Sequence, residues 1–137
     1  MAVILNLLAK DFLDYNRVIN IDFNNPDIIK ELAIKYIKNA VILTKYANRI
    51  TIDCTPIKIL TCLWADSYLI EYSDKIWDDY EKGEYKNKNI NYMKKLFSEY
   101  KYTNQKIGLT GLIYLTVIIE KIISEKYDPI FVDFLFI

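Results

Sequence analysis

The stretch "DIIKELAIKYIKNAVILTKYAN", residues 27–48, constrains this chain more than any other. Ile29, Leu32, Ala33, Tyr36, Ile37, Ala40, Leu43, Thr44 and Ala47 recur at helical spacing and make one apolar stripe. Ile28, Ile34, Val41 and Ile42 widen it well past a single face. A helix that is apolar on several sides must be covered on several sides, so the pattern predicts a long central helix. Asn25, Pro26 and Asp27 supply its start: a capping side chain, proline at the first helical position, and an acid at the positive end of the dipole.

The pattern breaks at Ala47-Asn48-Arg49. Ile50-Thr51-Ile52 then has strand chemistry, and a second, shorter helix is expected from about Pro56 to Ala65. Thr55-Pro56 is the better start signal for that helix, with Asp53 the competitor two residues earlier. Upstream, residues 2–14 read as a short amphipathic helix, and "YNRVINIDFNN" as an extended segment. Downstream, residues 66–81 continue helically, with Leu69, Ile70, Ile76, Trp77 and Tyr80 on the apolar side. "EKGEYKNKNIN" is the one convincing linker. Beyond it we expect a helix near 90–100, a polar loop "KYTNQKIG", a helix near 109–126 with a breaker at Asp128-Pro129, and an aromatic end, "DPIFVDFLFI".

Composition narrows the function. With 53% apolar residues, only three glycines and three prolines in 137 residues, an all-helical packed chain is favoured. The 18 basic and 18 acidic residues balance, which counts against wholesale neutralisation of nucleic-acid phosphates. There is no histidine, which excludes Ser-His-Asp and Cys-His chemistry and any His-ligated metal. Cys54 and Cys62 read as buried free thiols in a reducing compartment, too few for a zinc site. The start lacks a basic region and cleavage site, so no signal peptide is expected. "LTGLIYLTVII" falls well short of the roughly 20 residues needed to span a bilayer. Asp78 and Asp79 are neighbours on a helix and point apart, which makes them poor acid–base partners. We expect no enzyme, no cofactor, no metal and no membrane partner.

The ordered set "AVILTKYANRITIDCTPIKIL" resembles the second loop and third helix of the histone fold. Ala47, Arg49, Thr51, Ile52, Asp53, Ile57 and Leu60 stand in the matching places. "AVILNLLAKDFLDYNRVIN" upstream, and Cys62, Ala65, Asp66 and Ser67 downstream, resemble the ninth-TBP-associated-factor family of TFIID and SAGA-type coactivators. The related centromere-protein-S type carries a further helix similar to "DSYLIEYSDKIWDDY"; core histone four is a more distant relative. Pro56 stands where histones carry the acid that clamps the loop arginine, leaving Asp53 as the substitute. The C-terminal "YMKKLFSEYKYTNQKIGLTGLIYLTVIIEKIISEKYD" resembles the first helix, first loop and central helix of histone two-A, with no recognisable second loop or third helix.

The resemblance implies an all-α histone fold over 1–66 (short helix, loop, long helix, loop, short helix), an added helix over 67–82 and a linker over 83–89. Residues 90–137 are then a C-terminal helical extension or, as the alternative, a degenerate second histone fold. A unit of about 65 residues cannot cover its own central helix, so it implies a partner histone fold. That partner is a separate chain of the sixth-TBP-associated-factor type or the chain's own C-terminal half. Leu32, Tyr36, Ile37, Ala40, Leu43, Ile57 and Leu60 would form the interface. In such pairs the first loop of one unit lies beside the second loop of the other and can join it as short strands.

The implied role is a nuclear dimerisation subunit of a transcription-initiation or coactivator assembly. The alternatives are a virus-type histone doublet or small DNA-associated protein, and a helical-bundle adaptor of the viral apoptosis-regulator kind. Arg17 and Arg49 are the only arginines, and they fall in the two loops, which makes them the candidate DNA contacts. Neutral net charge favours the competing reading, in which they pair locally with Asp14 and Asp53. The Lys-rich linker with Tyr85 and Tyr92 reads as a solvated segment rather than a nucleic-acid patch.

Overall fold

The computed structural model describes residues 28–64, 67–101 and 103–124. The amphipathic segment 2–14, the extended segment around Arg17, the Asn25-Pro26 start signal and the chain beyond Ser124 lie outside the described residues. Among the described residues, five helices and two very short strands follow in order: α1 (Ile28–Tyr46), β1 (Thr51–Ile52), α2 (Cys54–Trp64), α3 (Ser67–Glu81), α4 (Asn91–Glu99), β2 (Lys106–Ile107) and α5 (Leu109–Ser124). The chain is mostly helical.

The end of α1 is set by one residue. Asn48 takes a left-handed backbone (φ 58°), its N–H donates to Lys45 O (2.9 Å), and the Arg49 N–H donates to Thr44 O (3.0 Å). Those two bonds cap carbonyls the helix would otherwise leave open. Ala47 therefore falls outside the helix and is exposed, rather than closing the apolar stripe. Asn tolerates this conformation and alanine does not. Asn48→Ala should cost about 1–2 kcal/mol and Asn48→Gly should be neutral or mildly stabilising, read as urea midpoints.

The next helix begins earlier than its proline suggests. Asp53 Oδ1 accepts from the Thr55 N–H (2.9 Å), which makes Asp53 the N-cap and Cys54 the first helical residue. Thr55-Pro56 is not the start; those residues sit inside the first turn, where proline's missing N–H is harmless.

One core joins both halves of the chain. Leu32, Tyr36, Ile37 and Ala40 from α1, Ile57 and Leu60 from α2, Ile76 from α3, Met93 and Leu96 from α4 and the run Leu112–Ile119 of α5 belong to a single buried cluster. Residues 111–119 of α5 are all buried, so this helix is enclosed all round. α1, by contrast, keeps Lys30, Lys38 and Lys45 in solvent. The buried threonines Thr44, Thr61 and Thr116 donate to the carbonyls of Ala40, Ile57 and Leu112, each one turn back, so none of these three hydroxyls is stranded.

Tertiary pairing appears where only a polar loop was expected. β1 and β2 run parallel, with Thr51 opposite Lys106 and Ile52 opposite Ile107. The Lys106 N–H donates to Ile50 O and the Gly108 N–H to Ile52 O, both at 2.9 Å. Two strand residues suffice because α1, α2 and α5 bracket them.

Candidate functional site at the paired loops

The seven residues expected at a dimer interface are all inside this chain. Leu32, Tyr36, Ile37, Ala40, Leu43, Ile57 and Leu60 are each at most 5% exposed. Around them pack α1 on α2, α4 and α5, and α2 on α5. The Tyr36 hydroxyl reaches Thr61 Oγ1 (3.1 Å); since Thr61 donates onward to Ile57 O, Tyr36 is the donor. Burial pushes the Tyr36 phenol far above its ordinary range, so it stays protonated and keeps that bond.

The polar chemistry gathers instead at the edge where β1 meets β2. Arg49 emerges from the α1 cap with a largely exposed side chain. Its Nη1 lies 3.4 Å from Asp53 Oδ2. Asp53 thus serves two partners, capping α2 through one oxygen and facing Arg49 through the other. The ion pair is solvent-accessible and is worth well under about 1 kcal/mol. It orients the guanidinium without locking it away from a stronger anion.

The second half reaches the same edge. Gln105 Nε2 donates to Arg49 O (3.3 Å). Thr103 shapes that loop, accepting the Gln105 N–H at 3.0 Å and donating its hydroxyl to the Gln105 carboxamide. Lys106 is exposed beside exposed Thr51, its register partner. Lys45 projects from the last turn of α1. Ile50 is 69% exposed, and Arg49, Thr51 and Asp53 border a shallow depression whose apolar lining is Leu43, Tyr46, Ala47, Pro56 and Ile59.

Of the two candidate DNA contacts, Arg49 is on this ridge, and Arg17 lies outside the described residues. Lys106 was not singled out by sequence reasoning. The signal for it was the basic residue before Gly108 in "NQKIG", directly ahead of an apolar helix. The thiols need a correction: both are free, but only Cys54 is half-buried, and Cys62 is exposed. Ile57, Leu60 and Thr61 take the inward face of α2 and leave Cys62 outside it. Burial, followed by the nearby Asp53 carboxylate, pushes the pKa of the Cys54 thiol up and keeps it protonated.

The aromatic residues mostly pack. Trp77 stacks on Tyr80 with ring centres 5.8 Å apart, and Lys58 Nζ sits 5.9 Å from the centres of both the Trp77 and Tyr114 rings. Asp78 is exposed and Asp79 buried, so the two carboxylates point apart. Among the described residues there is no cluster of metal-ligating side chains, and no helix is long and apolar enough to cross a membrane. Comparison with protein-family models, with characterised proteins and with solved structures returns no match.

Proposed function

We propose that this chain is a self-paired histone-fold module, a doublet in one polypeptide, and that it acts as a structural protein with a small duplex-DNA contact at its paired loops. The observation that carries the reading is the parallel ladder between β1 and β2. It joins the loop after one long helix to the loop before another, as the resemblance implies for the two halves of a histone pair. The order α4, β2, α5 matches first helix, first loop and central helix of a second unit.

A transcription-assembly subunit that requires a separate partner would leave its central helix uncovered. Here the core of α1 and α2 is enclosed by α4 and α5 of the same chain, which favours the internal partner. The module's sedimentation should therefore be that of a monomer.

In this reading phosphate is met by Arg49, two residues before Thr51, and by Lys106, opposite Thr51 in the ladder, with Lys45 in the last turn of α1 as a third cation. With two or three phosphates engaged, binding is weak and the slope of log K against log salt is about −2 to −3. Titrating a labelled duplex at low and rising salt tests this. Arg49→Ala and Lys106→Ala should each flatten the slope by about 1 and weaken all sequences alike. No duplex binding at the lowest salt, or equal slopes in wild type and variants, removes DNA from the reading.

A further inference from the structure

We infer that the left-handed turn at Gly83 decides whether the C-terminal half closes on its own chain or on a second copy of it. This rests on the internal pairing of the two halves described above. The contacts between halves (β1 with β2, α1 with α4 and α5, α2 and α3 with α5) are indifferent to which polypeptide supplies each side. An exchanged dimer would remake every one of them, and only the connection between α3 and α4 would differ.

Within that connection the chain passes from α3 to the C-terminal half over a few residues, between Lys82 and Lys88. Up to Lys82 the chain belongs to α3: the Lys82 N–H still bonds Asp78 O (3.1 Å). Further along it is tied to the C-terminal half, by the ion pair from Lys88 to Glu120 on α5 and by Ile90, which packs against the core ahead of α4. Tyr85 meets Tyr72 of α3 through a hydrogen bond that exchange would also restore. The hinge is Gly83 itself, at φ +80°, with its N–H on Tyr80 O and the Glu84 N–H on Asp79 O, both at 3.0 Å. A Cβ there would meet nothing within 4 Å, so a substitution acts through backbone preference alone.

Alanine disfavours the left-handed turn by about tenfold and favours carrying α3 straight on, away from its own C-terminal half. An exchanged dimer relieves two such hinges, so Gly83→Ala should raise the dimerisation constant by about a hundredfold. Gly83→Asn is the control, since asparagine already holds a left-handed position at Asn48.

A disulfide across the ladder reads the outcome. Thr51→Cys with Lys106→Cys joins register partners at normal strand spacing, in a Cys54→Ala, Cys62→Ser background. We expect a link within one chain for the otherwise unchanged protein and for Gly83→Asn, and a covalent dimer with doubled sedimentation mass for Gly83→Ala. A Gly83→Ala protein that links only within one chain and stays monomeric up to millimolar concentration overturns the inference and leaves internal pairing intact. Failure to link in any variant overturns internal pairing as well. Should Gly83→Ala not fold, Gly83→Ser, which also disfavours the left-handed turn, takes its place; a Gly83→Ser protein that folds and links only within one chain up to millimolar concentration overturns the hinge.

Discussion

Ile118→Ala should lower the unfolding free energy by about 2–5 kcal/mol and move the fluorescence and circular-dichroism midpoints together. Ile118 is fully buried in α5, and its removal leaves a cavity in the cluster that also holds Leu60 and Ile57 of α2. Both tryptophans, Trp64 and Trp77, belong to the first half of the chain, whereas the circular-dichroism signal averages over all helices. If the halves share one core, a defect made in α5 must be felt by tryptophans in α2 and α3. Leu60→Ala, made in the other half, should give a loss of the same order in the same single transition. The urea m-value should not change, because the surface exposed on unfolding is nearly the same. Such a loss is a large fraction of the stability of an ordinary domain. A fluorescence midpoint that stays put in Ile118→Ala would mean two independently stable halves, and the single core would be wrong.

The parts of the fold legible in the sequence were those decided locally. The α1 stripe, its end near Asn48 and the turn at Gly83 follow from helical spacing and backbone preference, which a short window contains. Helices α3 and α4 were placed close to their observed bounds for the same reason. The start of α2 was ambiguous because Asp53 and Thr55 both cap well. Asp53 has the further advantage of facing Arg49, a contact that spacing alone does not rank.

β2 was not legible. Two residues have no period, and Lys106-Ile107 become a strand only because a loop far away in the chain lies beside them. The enclosure of α5 was hidden for the opposite reason: residues 111–119 carry no charge to mark an outer face, so the run shows burial but not what surrounds it. The candidate site was half legible. Arg49 was visible as a rare arginine in a loop; Lys106 became significant once the ladder placed it next to Thr51. Net charge could not find that edge, because a balanced total says nothing about where the charges gather.

Gly111→Ala should destabilise the protein by about 1–3 kcal/mol, although alanine is the better helix former by about 1 kcal/mol. Gly111 lies in the first turn of α5, where that helix meets β1. A Cβ there would come 2.7 Å from Ile52 O, 3.1 Å from Ile107 Cγ1 and 3.3 Å from Asp53 O. Two of those neighbours are backbone carbonyls with little freedom to retreat. Ile52 O accepts the Gly108 N–H, and Asp53 is the cap from which α2 starts. The added methyl must therefore push α5 off the strand, break the ladder, or do some of each. Amide exchange separates this from a general loosening: the Lys106 and Gly108 N–H groups should exchange faster by more than the global loss explains. Gly108→Ala is the milder comparison, since its Cβ would meet only the Thr51 methyl at 3.3 Å and Ile52 O at 3.6 Å. Because the same ladder sets Lys106 beside Thr51, Gly111→Ala should also weaken the duplex binding proposed above without removing any charge. An alanine variant as stable as wild type, with unchanged exchange at Lys106 and Gly108, would mean that α5 does not approach β1 this closely. The paired loops would then lack the contact that aligns their basic residues.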